Sequence, residues 1–308
     1  MNTVLDNSNI SKHLGKVTGY KSTYDPSLLV REPRINNRKH LGIDDDSIDG
    51  FAPFCGYDIW NAYEVSCLTQ EGMPVAAIAK IVYPCRSKYI VESKSIKLYM
   101  NSFNMQVFKG NIIHVLMELQ ETIARDLSKL LEASVKVYVR AAKAISDDLY
   151  YPPVFSNKLY PTLENDIDVT MIQALCYKEN PAILSAIEIP QAKVQRFHSA
   201  LLKSNCRVTS QPDWGDVYIH YKGKYEINPT SLLQYIVSFR DECHFHEEIC
   251  GTIYMRLFQK FYPEELVVSC LYVRRGGIDI NPTRASRYDL LDSSLIDEFK
   301  YFTKTVRQ

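Results

Sequence analysis

The sequence predicts an α+β protein made of two tandem copies of one module, each an antiparallel sheet with helices on one face. The segment Ser95-Ile-Lys-Leu-Tyr99-Met-Asn-Ser102-Phe103 returns in the second half as Ser231-Leu-Leu-Gln-Tyr235-Ile-Val-Ser238-Phe239, with Ser, Tyr, Ser and Phe at identical spacing. Each stretch is followed by a helical pattern and then by a strand pattern, Val137 to Arg140 in one copy and Leu271 to Arg274 in the other. The intervals Tyr99 to Tyr138 and Tyr235 to Tyr272 differ by only two residues. An ordered pair of matches marks an internal repeat, and a repeat constrains the fold before any single element does.

Each copy opens on strand-like runs. In the first they cover about Ile59 to Leu68 and Val75 to Tyr83, joined by the turn sequence Gln70-Glu71-Gly72. In the second, Val217 to Tyr221 alternates and leads into Lys222-Gly223-Lys224, which has the composition of another turn. The long helix of the first copy sets Ile112, Leu116, Leu119, Ile123, Leu127 and Leu130 on one stripe at steps of three and four. The second copy uses Ile249, Ile253, Leu257 and Phe261, and Pro263 ends the helix. Strand, strand, helix, helix, strand gives an antiparallel sheet with one helical face. Such a sheet must bury its other side or its edges elsewhere, and tandem copies and a homo-oligomer both do so. The organisation expected is an N-terminal arm over 1–55, a first module over 56–145, a connector over 146–200 and a second module over 201–308.

Composition narrows the function classes. Hydrophobic residues at 46% and charged residues at 23% suit a globular core. A formal net charge of zero argues against holding nucleic acid or an anionic membrane by bulk electrostatics, while leaving room for a local basic pocket. No apolar run approaches the roughly 18–20 residues that span a bilayer. The polar start, Met1 to Lys16, lacks a signal-peptide core, so the expected compartment is the cytoplasm. The 8 cysteines then read as thiols, and with no CxxC pair among them no metal site is expected.

Four places carry the chemistry. Cys206 stands seven residues before Asp213 in a polar stretch with Pro212 and Gly215, which reads as a loop. A lone cysteine is ordinarily a small buried hydrophobe. Here, however, matching Pro74 to Pro212 sets Leu68 at Cys206 and Val75 at Asp213, so the polar pair belongs to one copy alone. The second place, Arg240 to Glu248, clusters His244, His246, Glu247 and Glu248 before a helix. Two histidines at i,i+2 do not share a helix face, which weakens a metal reading, and acidic residues at a helix start also serve the dipole. The third, Val91-Glu92-Ser93-Lys94-Ser95, fits a helix cap as well as a charged site. In the fourth, Arg274-Arg275-Gly276-Gly277, guanidinium and backbone N–H groups can close on phosphate, with a plain turn as the alternative.

Taken together, Glu92-Ser-Lys-Ser-Ile-Lys-Leu-Tyr, Cys206 with Gln211-Pro-Asp213-Trp, Val237-Ser-Phe-Arg with Phe245-His-Glu247, and Arg274-Arg-Gly-Gly-Ile-Asp-Ile-Asn-Pro resemble the bimodular NADPH-dependent 7-cyano-7-deazaguanine reductases, the nitrile reductases of queuosine biosynthesis. The likeness runs from Leu14-Gly-Lys to Asn281-Pro, and its combination of motifs is specific where no single motif is. It implies two tandem tunnelling-fold modules, NADPH as co-substrate and a homodimer. It also implies Cys206 as the nucleophile that adds to the nitrile carbon and Asp213 as the proton donor. Val91, Glu92, Ser93, His246 and Glu247 correspond to substrate-binding positions, and Ser93, Lys94, Arg275 and Gly276 to cofactor-binding positions. Where the family often has Cys-Val-Glu after the His-Glu pair, this chain reads Glu248-Ile249-Cys250-Gly251, with a glycine inside the expected helix. Three other readings remain open at this stage: a metal-dependent pterin or purine cyclohydrolase, a thiol hydrolase using Cys206 and His246, and a non-catalytic purine-binding module.

Overall fold

A computed structural model describes residues 21–43, 54–142, 155, 158–168, 170, 172 and 176–297. In chain order the elements are β1 (Arg31–Pro33), β2 (Cys55–Leu68), β3 (Pro74–Pro84), β4 (Tyr89–Val91), α1 (Ser93–Ser102), α2 (Ile112–Leu131) and β5 (Lys136–Ala141). There follow α3 (Leu163–Asp166), β6 (Ala186–Cys206), β7 (Pro212–Ile227), α4 (Pro229–Val237), β8 (Cys243–His244), α5 (His246–Phe261), β9 (Glu265–Tyr272) and β10 (Ile278–Ala285). The chain forms two compact units. The first holds Met1–Gly50, Trp60–Leu149 and Arg274–Asp279, and the second Phe51–Ile59, Tyr150–Val273 and Ile280–Gln308.

In the first unit the strand order is β5-β3-β2, with β3 and β5 antiparallel from Ala77↔Ala141 to Val82↔Lys136, and α2 packs on β5. In the second the order is β10-β9-β7-β6-β8; the first three pairings are antiparallel and the last is a short parallel one. There α5 packs on β9 and β7 through the expected stripe of Ile249, Ile253, Leu257 and Phe261, all buried. The mixed α+β architecture of tandem tunnelling-fold modules is the one the sequence predicts.

The repeated residues do the same work in both copies. Ser95 and Ser231 each donate from Oγ to a carbonyl three residues back, Glu92 at 2.7 Å and Asn228 at 2.9 Å. The same two hydroxyls accept from Val30 N and Ser185 N, each at 3.0 Å. Ser102 and Ser238 donate to the carbonyls of Tyr99 and Tyr235, both at 2.6 Å. The Tyr99–Phe103 and Tyr235–Phe239 rings meet edge to face at 5.1 and 5.4 Å, an arrangement aromatic quadrupoles favour. Buried hydroxyls need partners, and this pattern supplies them twice.

Several boundaries differ from expectation. Residues 186–206 form one strand, although most of that span falls in the expected connector, and Asn180 caps the 3-10 turn Pro181–Ile183 just as Asp25 caps Pro26–Leu28. The second copy's repeated structure therefore begins well before residue 201. Lys222-Gly223-Lys224 is not a turn: β7 runs straight through it, with Gly223 opposite Lys193. A Cβ on Gly223 would collide with the Tyr221 hydroxyl, so this glycine serves close packing and not chain reversal. Along α2 the buried row is Val115, Leu119, Ile123, Leu127 and Leu131, while Ile112 is exposed. The helix uses its i,i+4 ridge and not the mixed stripe read from sequence. Within the arm, β1 pairs with β4, and Arg34 and Arg38 are buried, Arg34 donating to Ser87 Oγ at 3.0 Å.

Gly56 lies at φ +139, and a Cβ there would collide with the Thr283 carbonyl oxygen. Gly56→Ala is expected to destabilise the protein by more than about 1 kcal/mol, since strain and a backbone clash act together. A lowered urea midpoint at unchanged m-value measures it.

Candidate active site

The site in the second unit begins where β6 ends. Cys206 is the last residue of β6, and its N–H donates to Gln211 O at 2.8 Å while Ser210 N donates to Cys206 O at 2.9 Å. These two bonds close a tight hairpin whose register sets Ser204 opposite Asp213 and Asn205 opposite Pro212. Cys206 and Asp213 thus lie on paired strands on either side of one tight turn, and the loop expected over this stretch shrinks to Arg207–Ser210. Cys206 is partly exposed and Asp213 is 3% exposed, which suits an accessible thiol beside a sheltered acid.

The hydrogen bonds also correct the comparison between copies. Leu68 N donates to Gln106 O at 2.9 Å, as Asn205 N donates to Glu242 O at 2.7 Å. Thr69, not Leu68, therefore occupies the Cys206 position; the first hairpin loop is one residue shorter, an offset that an ungapped match cannot show. The last loop residue is left-handed in both copies, Gly72 at φ +81 and Ser210 at φ +54.

The N-terminus of α5 supplies the other wall. His246, its first residue, brings Nε2 to 3.4 Å from Asp213 Oδ2, and its ring stacks on Tyr272 with centroids 3.9 Å apart. Glu247 is 6% exposed, in the first turn of α5. Burial, followed by the nearby Cys270, Cys250, Asp213 and Glu247, pushes the Tyr272 phenol well above its ordinary value, so it stays neutral. Arg284 anchors this turn from below. It pairs with Asp58 at 2.8 Å and donates to Glu247 O at 3.3 Å and Tyr57 O at 3.2 Å. Gly251, the departure inside α5, is buried, α5 runs through it without a break, and a Cβ there would reach only Phe54 at 4.0 Å.

The first unit holds the remaining expected residues. Val91 and Glu92 are buried, at 2% and 3% exposure, and Ser93 is exposed at the start of α1. Glu92 caps that helix with both oxygens, Oε1 accepting from Lys94 N at 2.8 Å and Oε2 from Ser95 N at 2.6 Å. The capping account is therefore realised, and it fixes the carboxylate's orientation. Gly276 and Gly277 both take positive φ, 57° and 77°, and Lys97 packs so closely on Gly276 that a Cβ there would collide with its Nζ. Glu64 lies against Gly277, and Arg274 lies over the Tyr63 ring at 3.8 Å. The bend at Gly276 and Gly277 carries no side chain of its own, and Lys97 and Glu64 close over it.

Three residues near these positions carry no role in the sequence reading: Tyr272, Arg207 and Lys97. Tyr272 was visible only as a repeat position, and Lys97 only as part of the Ser95–Phe103 match. Among the described residues no group of three or more His, Cys, Asp and Glu side chains is placed to hold a metal ion. Among them, too, no helix is long and apolar enough to cross a membrane.

Comparison with known proteins fits this arrangement. Residues 20–139 match the family described as nitrile reductase, 7-cyano-7-deazaguanine-reductase N-terminal, and residues 212–289 match the family of QueF-like proteins. The NADPH-dependent 7-cyano-7-deazaguanine reductase of Coxiella burnetii (strain CbuK_Q154) is 40% identical over 273 residues, covering 89% of this chain and 91% of that one. The protein of that name from Rickettsia bellii (strain OSU 85-389) is 41% identical over 283 residues, covering 91% and 95%. The crystal structure of the apo archaeosine synthase QueF-Like aligns at 14% identity and a TM-score of 0.27, over 31% of this chain and 93% of that one, too slight a likeness to bear on the fold. Two tandem modules with these matches define an oxidoreductase that uses NADPH. The chain belongs to the NADPH-dependent 7-cyano-7-deazaguanine reductase family.

Ser210 carries a side chain where the first copy has glycine. Ser210→Gly is expected to raise stability by up to about 1 kcal/mol by relieving the left-handed penalty, read as a higher urea midpoint.

Proposed function

We propose that this protein reduces the nitrile of 7-cyano-7-deazaguanine to the primary amine of 7-aminomethyl-7-deazaguanine, serving tRNA queuosine biosynthesis. The observation that carries the reading is the hairpin whose paired strands carry a partly exposed Cys206 and the buried Asp213, with His246 Nε2 3.4 Å from that carboxylate.

Cys206 acts as the nucleophile: its sulfur bonds to the nitrile carbon while the nitrile nitrogen gains the electron pair. Asp213 accepts the thiol proton and returns it to that nitrogen, so a neutral thiol and a neutral nitrile become a neutral thioimide. NADPH, when bound, supplies one hydride to the thioimide carbon and a second to the imine that remains after sulfur departs. His246, whose Nε2 lies 3.4 Å from Asp213 Oδ2, contacts the substrate and hands on protons that the two reductions consume. Glu247 in the second unit, and Glu92 with Val91 and Ser93 in the first, offer buried carboxylate acceptors suited to N–H donors such as those of a deazaguanine. Buried acceptors reject analogues that lack those donors. Lys94 and Arg275, with Ser93 and the side-chain-free Gly276, hold the cofactor's phosphates.

The working form on this reading is a cytoplasmic homodimer that handles the free base and makes no direct contact with tRNA. No specific observation favours the cyclohydrolase, the thiol hydrolase or the pure binder over it.

Substrate added without NADPH is expected to give a mass increment on wild-type protein and none on Cys206→Ser, whose turnover should vanish. Undiminished turnover in that variant sinks the reading. Asp213→Asn is expected to slow nitrile reduction by about 100-fold or more, the scale of a lost general acid–base group, read from steady-state NADPH oxidation. Gly276→Ala, which displaces Lys97, is expected to raise KM for NADPH several-fold and leave substrate-induced adduct formation unchanged.

A further inference from the structure

The sequence singled out His244, and the proposed chemistry leaves it unused. It lies in β8, whose parallel pairing with β6 sets His244 directly opposite Cys206 and Cys243 opposite Asn205. Paired strands run about 4.8 Å apart, so the backbones at 206 and 244 are immediate neighbours. The imidazole Nε2 hydrogen-bonds Glu242 Oε2 at 3.0 Å, and its Nδ1 lies 2.9 Å from Glu248 Oε1 as an ion-pair contact. Glu248 is 1% exposed, and Arg207, the residue after Cys206, reaches it at 3.2 Å. Arg207 also lies over the Phe245 ring at 5.3 Å. One cluster therefore joins three elements: the hairpin through Arg207, β8 through His244, and the first turn of α5 through Glu248.

The other copy shows that the cluster is not required by the fold. There Phe108 N donates to Leu68 O at 2.9 Å and Val107 bridges Leu68, so Phe108 follows Val107 as His244 follows Cys243. The position of His244 is thus held by a buried phenylalanine, 6% exposed, in the copy whose hairpin carries Thr69. A polar, charged clamp stands only beside the cysteine.

We propose that His244, clamped between Glu242 and Glu248, is a positioning residue that locks the Cys206 hairpin to the N-terminus of α5 and so fixes the nucleophile relative to His246 and Glu247. The proposal rests on Cys206 being the nucleophile. Two carboxylate partners can both be satisfied only when both ring nitrogens carry protons. Burial pulls the imidazole down, but the hydrogen bond to Glu248 and the charges of Glu248 and Glu242 outweigh it and the opposing Arg207, and His244 titrates above the ordinary histidine value. A raised folded-state value means the clamp is complete below the ordinary histidine range and is lost as pH rises through the raised value. The charged groups that act on the ring are Glu242 from the turn after α4, Glu248 from α5 and Arg207 from the hairpin.

The test follows the rate of Cys206 adduct formation with 7-cyano-7-deazaguanine, without NADPH, across pH, in wild type, His244→Gln, Glu242→Gln and Cys206→Ser. Wild type is expected to lose rate as pH rises through the His244 midpoint, which imidazole NMR reads independently. His244→Gln is expected to react about tenfold more slowly at neutral pH, the order set by losing charge-assisted hydrogen bonds, and to lose that limb of the profile. Glu242→Gln, which keeps shape and removes one of the two charges, is expected to fold normally and shift the limb to lower pH. No adduct in wild type would overturn the nucleophile assignment itself. An adduct in wild type, with the same rate and profile in His244→Gln and an unmoved limb in Glu242→Gln, would overturn the clamp alone.

Discussion

The pairing of β6 with β7 is the constraint on which the site depends, because the point where it closes decides which side chains meet. Antiparallel strands have a side-chain period of two, so a slip of one residue would turn Asp213 to the opposite face. The bonds Cys206 N to Gln211 O and Ser210 N to Cys206 O fix that point, and the pairs from Leu202↔Gly215 to Asn205↔Pro212 hold one register behind it, beyond two irregularities farther along β6. The left-handed Ser210 is the local strain that this closure tolerates.

A second layer holds α5 against the hairpin. Arg284 is 1% exposed and Asp58 is fully buried, and a buried ion pair of this kind contributes more to geometry than to net stability. Its value here is that the same guanidinium also binds the carbonyls of Tyr57 and Glu247, tying β2, β10 and the start of α5 to one group. Tyr272, kept neutral by burial, offers His246 a flat surface to stack on. In that stacked position the imidazole Nε2 lies 3.4 Å from Asp213 Oδ2.

Duplication explains why the chemistry is unevenly spread. Both copies retain the Ser–Tyr–Ser–Phe scaffold because each hydroxyl satisfies a buried backbone group, an obligation of the fold. Only the second keeps a thiol at the hairpin base, where the first has Thr69. Only the first keeps a charged helix cap, Glu92, where the second has Asn228. Residues bound by the scaffold resist divergence, and residues at loop ends and caps are free to specialise.

Much of this was legible in the sequence. The tandem α+β architecture followed from the repeat, the apolar stripe of α5 from its spacing, and the set of motifs from Glu92 to Asn281 from their combined resemblance to one reductase family. What escaped was everything set by contacts between distant residues. Lys222-Gly223-Lys224 has a turn's composition, yet Gly223 is there because the Tyr221 hydroxyl needs its space. The first half of β6 reads as polar connector, since an edge strand's outer residues carry no buried period to betray it. The equivalence of Cys206 with Thr69 needed hydrogen-bond partners, because a one-residue difference in loop length breaks any ungapped match. Composition and local period therefore determined the modules, and the combined motifs pointed to the family. Strand register and long-range pairing, which have no local signature, decided that Cys206, Asp213, His244 and His246 stand around a single turn.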